Sequence, residues 1–350
     1  MSLVLTGLVK TITLRAGFVS RPAKDRFSHR TIPLGGGIAI FITLLVFVFG
    51  ATAAIRFVPG RFDSLAQKAN INLADFSGKI SELVIILLSA FILFLLGLWD
   101  DKRPLGPFVK LAAQFAVAII AAYLGDVRVE FFIENKIITS ALSAIWIVLI
   151  INAFNFLDNM DGLSAGVAVI ASSILFTAAA ISGQVFVGGL ALVFIGTLLG
   201  FLAFNFPPAK IFMGDAGSLV VGFFVAILTL RTTYYHEAQS GQWYPVLMPL
   251  VVMAVPLYDF ISVTLLRISQ GKSPFVGDTQ HFSHRLKKHG LTDTQTVLTL
   301  YLATLCTGLG ATFLYQVNLA GAILILIQTI MILAIIAILE TAAKNDKTID

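Results

Sequence analysis

Four polar residues, Asn152, Asn155, Asp158 and Asp161, recur at every third position through a wall of Ile, Leu, Phe and Met. On a helix this spacing keeps side chains on one slowly drifting stripe. Carboxylates at a bilayer edge are expensive, so they are expected to face a cavity, a cation or a partner rather than lipid. A polar loop with helix-capping Asn and Asp explains one or two of the four, not the ladder.

Three further clusters carry similar chemistry. Asp100-Asp101 ends an apolar run and precedes Lys102-Arg103-Pro104. Adjacent carboxylates repel and are best tolerated beside a cation or a bound metal, although a water-exposed span end explains this pair equally well. In Asn205-Phe-Pro207-Pro208-Ala-Lys210-Ile-Phe212-Met-Gly214-Asp215-Ala-Gly217-Ser218 the prolines stop a helix and the glycines admit a ligand close to the backbone. Asp215 and Ser218 then fall at the start of a new helix, where free N–H groups and the helix dipole favour phosphate, and Phe212 is placed to stack on a base. A capping Asp215 beside a lipid-facing Phe212 is the plainer alternative. The basic segment Arg267 to Leu291 holds Asp278, His281, His284, Arg285, Lys287 and Lys288. His281 and His284 share one face of a helical turn, suited to an anionic ligand or a metal. Lys287 and Lys288 read as charges attracted to anionic lipid, and Asp259 as a buried structural group.

The elements that must position these groups are membrane spans. The chain is 57% hydrophobic and 12% charged, with mean hydropathy +0.91. A soluble domain carries about 25% charged residues, so the composition excludes that class. Spans are expected near 34–55, 81–99, 108–125, 139–157, 163–181, 186–205, 216–232, 245–267, 294–315 and 319–340. Met1 to Val19, broken by Lys10 and Arg15, does not read as a cleavable signal peptide. It is expected as a surface helix or the tail of an eleventh span. On the far side, residues 127–138 alternate weakly, which suggests a small hairpin around Glu134-Asn135.

Alternating connections put 16 Lys and Arg on one side and 7 on the other. The excess marks the first side as cytoplasmic, and every polar cluster falls there. The single cysteine, Cys306, permits no intrachain disulfide. The net charge of +5 is modest and lies in membrane-flanking loops, so no nucleic-acid partner is expected. Carboxylates, phosphate-compatible glycines and cations at one membrane surface suit metal-assisted phosphoryl chemistry between a soluble nucleotide and a lipid. A secondary transporter is the rival class, disfavoured by the absence of an evident internal repeat.

The sequence resembles the polyprenyl-phosphate N-acetylhexosamine-1-phosphate transferases, in their WecA-like branch. The resemblance runs from His29 and Pro33-Leu-Gly-Gly36 through Asp100-Asp101, the central Asn/Asp ladder with Gly162-Leu163, and Phe212-Met-Gly-Asp215-Ala-Gly-Ser218, to Asp278-x-x-His281-x-x-His284. Three positions depart from the family pattern: Asn159 stands where a Gly is usual, Ser283 where a middle His is usual, and Ser20 where an Asp is usual just ahead of Pro22. The resemblance implies an all-α integral membrane protein, one domain over residues 1–350. It implies ten or eleven transmembrane helices, with the active site in cytoplasmic loops of the inner membrane. It implies that Asp215 binds Mg²⁺ (Mn²⁺ as a substitute), that Phe212 stacks on uracil, and that Asp158 and Asp161 lie in the nucleotide-sugar pocket. Asp100 and Asp101 would sit near the lipid phosphate. His281 and His284 join the catalytic group, and Asn152, Asn155, Asn205, His29 and Arg285 the substrate contacts. The expected substrates are a UDP-N-acetylhexosamine and undecaprenyl phosphate, and a homodimer is compatible with the pattern.

Overall fold

The most buried helix of the protein is one of its shorter ones. Asp215–Arg231 is apolar all round, and every residue from Ala216 to Thr229 is buried. A helix with no polar face belongs inside a bundle, and five other helices pack on it. The computed structural model describes residues 1–20, 31–57, 78–129, 133–232, 243–273 and 281–341. In chain order these form α1 (Ser2–Arg15), β1 (Val19–Ser20), β2 (Ile32–Pro33), α2 (Gly36–Phe57), α3 (Ile80–Lys102), α4 (Pro107–Tyr123), α5 (Lys136–Leu157), α6 (Leu163–Ile181), α7 (Val185–Asn205) and α8 (Asp215–Arg231). There follow α9 (Met248–Val252), α10 (Ala254–Ser269), α11 (Phe282–Lys288), α12 (Asp293–Thr312) and α13 (Leu319–Thr341). The central α8 packs on α2, α3, α5, α6 and α7.

Seven described helices are long and apolar enough to cross a membrane, and eight if the bent pair Tyr244–Val252 and Ala254–Ser269 is one span. Many of them expose large apolar side chains, such as Leu324 and Ile330 on α13 and Leu88 on α3. The protein is a multi-pass, all-α membrane protein. Each of the ten expected spans has a helical counterpart, but α4 and α8 contain 17 residues each, short of the roughly 20 that a full crossing needs. The 245–267 segment is not one straight helix, because it bends by 64° at Met253. Pro256 has no N–H to bond back to Val252, so the helical ladder is interrupted there. The described α1 has 14 residues and lies against α7 and α2, with Ser2 Oγ donating to the Thr197 carbonyl at 2.6 Å.

The expected hairpin around Glu134-Asn135 is replaced by a helix start. Asn135 caps α5 by accepting from the N–H groups of Ile137 and Ile138, the role for which Asn is best suited. Residues 130–132 lie outside the described set. So do His29, Asp278 and most of the 56–80 loop.

Close backbone approach brings the motifs together. A Cβ on Gly37 of α2 would sit 2.3 Å from the Gly217 nitrogen, and one on Gly97 of α3 would sit 2.4 Å from the Asp215 carbonyl oxygen. Only glycine allows these helices to touch the start of α8. The Pro33-Leu-Gly-Gly36 motif runs beside Phe212: the Phe212 N–H donates to the Pro33 carbonyl at 2.9 Å, and the Gly36 N–H returns a bond to the Phe212 carbonyl at 2.9 Å. At the opposite end of the bundle, Arg231 pairs with Glu82 and donates to the Asp126 carbonyl.

Candidate active site

Asp101, at the end of α3, caps the start of α8. Its two carboxylate oxygens accept the backbone N–H groups of Asp215 at 2.8 Å and Ala216 at 3.1 Å. Gly214 makes this fit. Its φ is 71°, and a Cβ there would meet the Asp101 carboxylate at 2.6 Å. The N–H groups of Gly217 and Ser218 bond back to the Gly214 carbonyl. These N–H groups were expected to be open to a phosphate; they are instead taken by an internal carboxylate and by the first helical turn. This corrects the reading of the α8 start as a phosphate cradle.

The neighbouring carboxylates converge on one ammonium. Lys110 Nζ, at the start of α4, stands 2.7 Å from Asp100 Oδ2 and 2.6 Å from Asp215 Oδ2. Asp100 Oδ1 also accepts the Leu105 N–H at 2.6 Å. The other oxygen of Asp215 accepts from Asn155 Nδ2 at 3.0 Å, and the same amide reaches Ser218 Oγ at 2.8 Å. One helical turn earlier, Asn152 donates to Gln114 Oε1 at 2.6 Å. Thus Asp100, Asp101, Asn155 and Asp215 form one cluster.

The ladder does not continue as a helix. α5 ends at Leu157, Asp158 caps it, and Asp161 lies in the turn before α6. Asp161 accepts the Ala209 N–H at 2.8 Å, which ties the turn to the Pro207-Pro208 loop. Burial raises the Asp161 carboxyl above the usual range, while the Ala209 N–H and nearby Lys287 pull it back. Asn205 is buried and spends its amide on backbone, accepting from Gly162 N at 3.0 Å and donating to the Ile211 carbonyl at 2.9 Å. It therefore positions two loops, where a substrate contact was expected. Tyr301 of α12 closes the turn, donating to the Gly162 carbonyl at 2.5 Å.

The basic loop docks against the same turn. His281 Nδ1 lies 2.9 Å from Asp259 Oδ2, and the Phe282 N–H bonds the other Asp259 oxygen at 3.2 Å. His284 sits next to His281, with ring centroids 6.3 Å apart. Burial first, and the adjacent His281 second, lower the His284 pKa to about 4, so its imidazole is neutral at physiological pH. Arg285 was expected to contact substrate, but its guanidinium is held by Glu340 at 3.0 Å and Ser262 at 3.3 Å. Lys287 is paired with Asp293 at 2.6 Å, where a lipid contact was expected; Lys288 is exposed.

Among the described residues no three His, Cys, Asp or Glu side chains converge as a ready cage. Mg²⁺ is usually held by one or two carboxylates together with substrate phosphates and water. Asp215 and Asp100 already share a cation, Lys110, so the site is built to concentrate positive charge and fits that mode. Lys110 is the candidate site residue that sequence reasoning missed. A lone Lys at the start of an apolar helix reads only as an orientation charge.

The family model described as glycosyl transferase family 4 matches residues 83–233. The chain is 32% identical to a probable undecaprenyl-phosphate N-acetylglucosaminyl 1-phosphate transferase of Bacillus subtilis, over 99% of this chain and 90% of the relative. It is 27% identical to a decaprenyl-phosphate N-acetylglucosaminephosphotransferase of Mycobacterium tuberculosis, over 99% and 87%. An Escherichia coli undecaprenyl-phosphate alpha-N-acetylglucosaminyl 1-phosphate transferase is 26% identical, over 84% and 76%.

Proposed function

The chain belongs to glycosyl transferase family 4, the polyprenyl-phosphate N-acetylhexosamine-1-phosphate transferases, and from that premise we propose that it transfers N-acetylglucosamine-1-phosphate from UDP-N-acetylglucosamine to undecaprenyl phosphate. The products are undecaprenyl-diphosphate-N-acetylglucosamine and UMP. The step opens cell-envelope polysaccharide synthesis on the cytoplasmic face of the inner membrane. The observation that carries this reading is the Lys110 ammonium held between Asp100 and Asp215, beside Asp101 and Asn155.

In this reading an oxygen of the lipid phosphate attacks the phosphorus next to the sugar. The bond from that phosphorus to the bridging oxygen breaks, and UMP leaves with the oxygen. A phosphate monoester has a second pKa of about 6 and is largely dianionic at neutral pH, so the attack needs little help from a base. This frees Asp101 for the task its geometry suits, holding Asp215 and the start of α8 in place. Asp215 and Asp100 would hold Mg²⁺, which would spread the negative charge that develops on the phosphoryl oxygens. Lys110 then supplies a second positive charge to the same oxygens. Phe212 stacks on the uracil, and Asp158 with Asp161 lines the sugar side. Neutral His284 offers an N–H to the diphosphate. The test is UMP release by the purified protein from UDP-N-acetylglucosamine. Release that depends on added undecaprenyl phosphate supports the reading, and its absence across a panel of UDP-N-acetylhexosamines refutes it.

A further inference from the structure

Two of the three positions at which the chain departs from its family's pattern are bonded to each other. Ser283 Oγ donates to Asn159 Oδ1 at 2.6 Å, across 124 residues of sequence. Asn159 stands between Asp158 and Asp161, and its amide nitrogen donates to the Phe156 carbonyl at 2.6 Å, near the end of α5. Ser283 is fully buried and lies between His281 and His284 in the first turn of α11. The Phe156 ring also meets the His281 ring edge-on, with centroids 5.5 Å apart, and Lys287 of α11 acts electrostatically on Asp161 of the turn.

We infer that Asn159 and Ser283 are a positioning pair that fixes the histidine-bearing α11 against the carboxylate-bearing turn. The physical case rests on where this tie runs. Asp259 fixes the α11 start to α10, through His281 Nδ1 and the Phe282 N–H. That bond sets the tilt of α11 but does not involve the 158–162 turn. Asn159–Ser283 is a side-chain hydrogen bond that does, joining the 158–162 turn directly to the first turn of α11. A buried hydroxyl that loses its partner is left with a desolvation cost, so the pair resists separation and keeps α11 at one distance from Asp158 and Asp161. The geometry also explains the paired departure. A Gly at 159 offers no side-chain acceptor, so the two residues act only together.

This inference rests on the proposed transferase reading for its kinetic consequence, but not for its structural one. Asn159→Ala, Ser283→Ala and the double variant are compared by hydrogen–deuterium exchange and by UMP release. The exchange arm needs no activity. Each single substitution is expected to raise amide exchange in the partner's segment, residues 157–163 for Ser283→Ala and 281–288 for Asn159→Ala. In the kinetic arm each single variant lowers kcat about three- to tenfold, from the roughly 1 kcal/mol of one hydrogen bond. KM for the UDP-sugar changes less than kcat, and the double variant is no slower than the worse single. Unchanged exchange in the partner segment overturns the pairing. Kinetic losses that multiply in the double variant overturn its role in turnover. A wild-type protein that releases no UMP, yet shows the reciprocal exchange, refutes the transferase reading and leaves the pair standing.

Discussion

The ammonium of Lys110 lies 2.6 Å from a carboxylate oxygen of Asp215, although 105 residues separate the two in the chain. The same ammonium holds Asp100. Three charged side chains from α3, α4 and α8 are therefore one electrostatic unit, with Asp101 bracing it from below through the Asp215 and Ala216 N–H groups.

Replacing Lys110 with Met leaves two neighbouring carboxylates without their shared cation. A charge-assisted hydrogen bond is worth about 1.5–3 kcal/mol, or roughly ten- to a hundredfold in rate. Lys110→Met should lower UMP release by that factor while the protein still elutes as a single species in detergent. Turnover within about threefold of wild type would remove Lys110 from the site.

Asp215→Asn keeps the shape and the Asn155 contact but removes the charge that Lys110 and a metal both need. Activity should be abolished at every Mg²⁺ concentration. The thermal midpoint should move little, because the Asp101 bonds go to the backbone of 215 and not to its side chain. Near wild-type turnover at saturating Mg²⁺ would sink the proposed metal-holding role.

The Asp and Asn motifs were legible because polar residues inside apolar runs have few bland explanations. Glycine positions such as Gly214 were legible for the same kind of reason, since the motif needs close backbone approach. Lys110, Gln114 and Tyr301 were not, because each is a single ordinary residue whose meaning comes from a partner far away in sequence. The break at Met253 was missed because Pro256 sits within an apolar run of spanning length. The ion pairs of Arg285 and Lys287 were not legible, because their partners, Glu340 and Asp293, arrive from α13 and α12.

His284 carries a pH signature. Its pKa falls from 6.5 to about 4 on folding. The unfolded chain takes up the proton first, so this group's stability contribution is present above pH 6.5 and is lost as pH falls towards 4. The thermal midpoint of the wild type should therefore drop across that window, and His284→Gln should flatten the drop. A neutral hydrogen bond is worth about 0.5–1.5 kcal/mol, so His284→Ala should slow turnover roughly two- to tenfold. Lys288→Ala, at an exposed position in a protein anchored by many spans, should cost less; if it is the more damaging change, the division of this loop is wrong.

The orientation is tested without any activity. In a Cys306→Ala background, which removes the exposed native thiol, single cysteines are placed at Arg103, Asn159 and Lys288. All three should resist membrane-impermeant thiol reagents in intact cells and react after permeabilisation. Labelling of any one from outside would separate the loops that the proposed site requires on one face.

The most direct test follows the phosphorus. UDP-N-acetylglucosamine is prepared with ³²P at the phosphate next to the sugar and ³H in the sugar, and is given to the purified protein with undecaprenyl phosphate and Mg²⁺. Sugar-phosphate transfer predicts that both labels enter the lipid in equal amounts and that the released nucleotide is unlabelled UMP. Tritium entering the lipid while ³²P stays on UDP, or no label entering the lipid at all, would contradict the account.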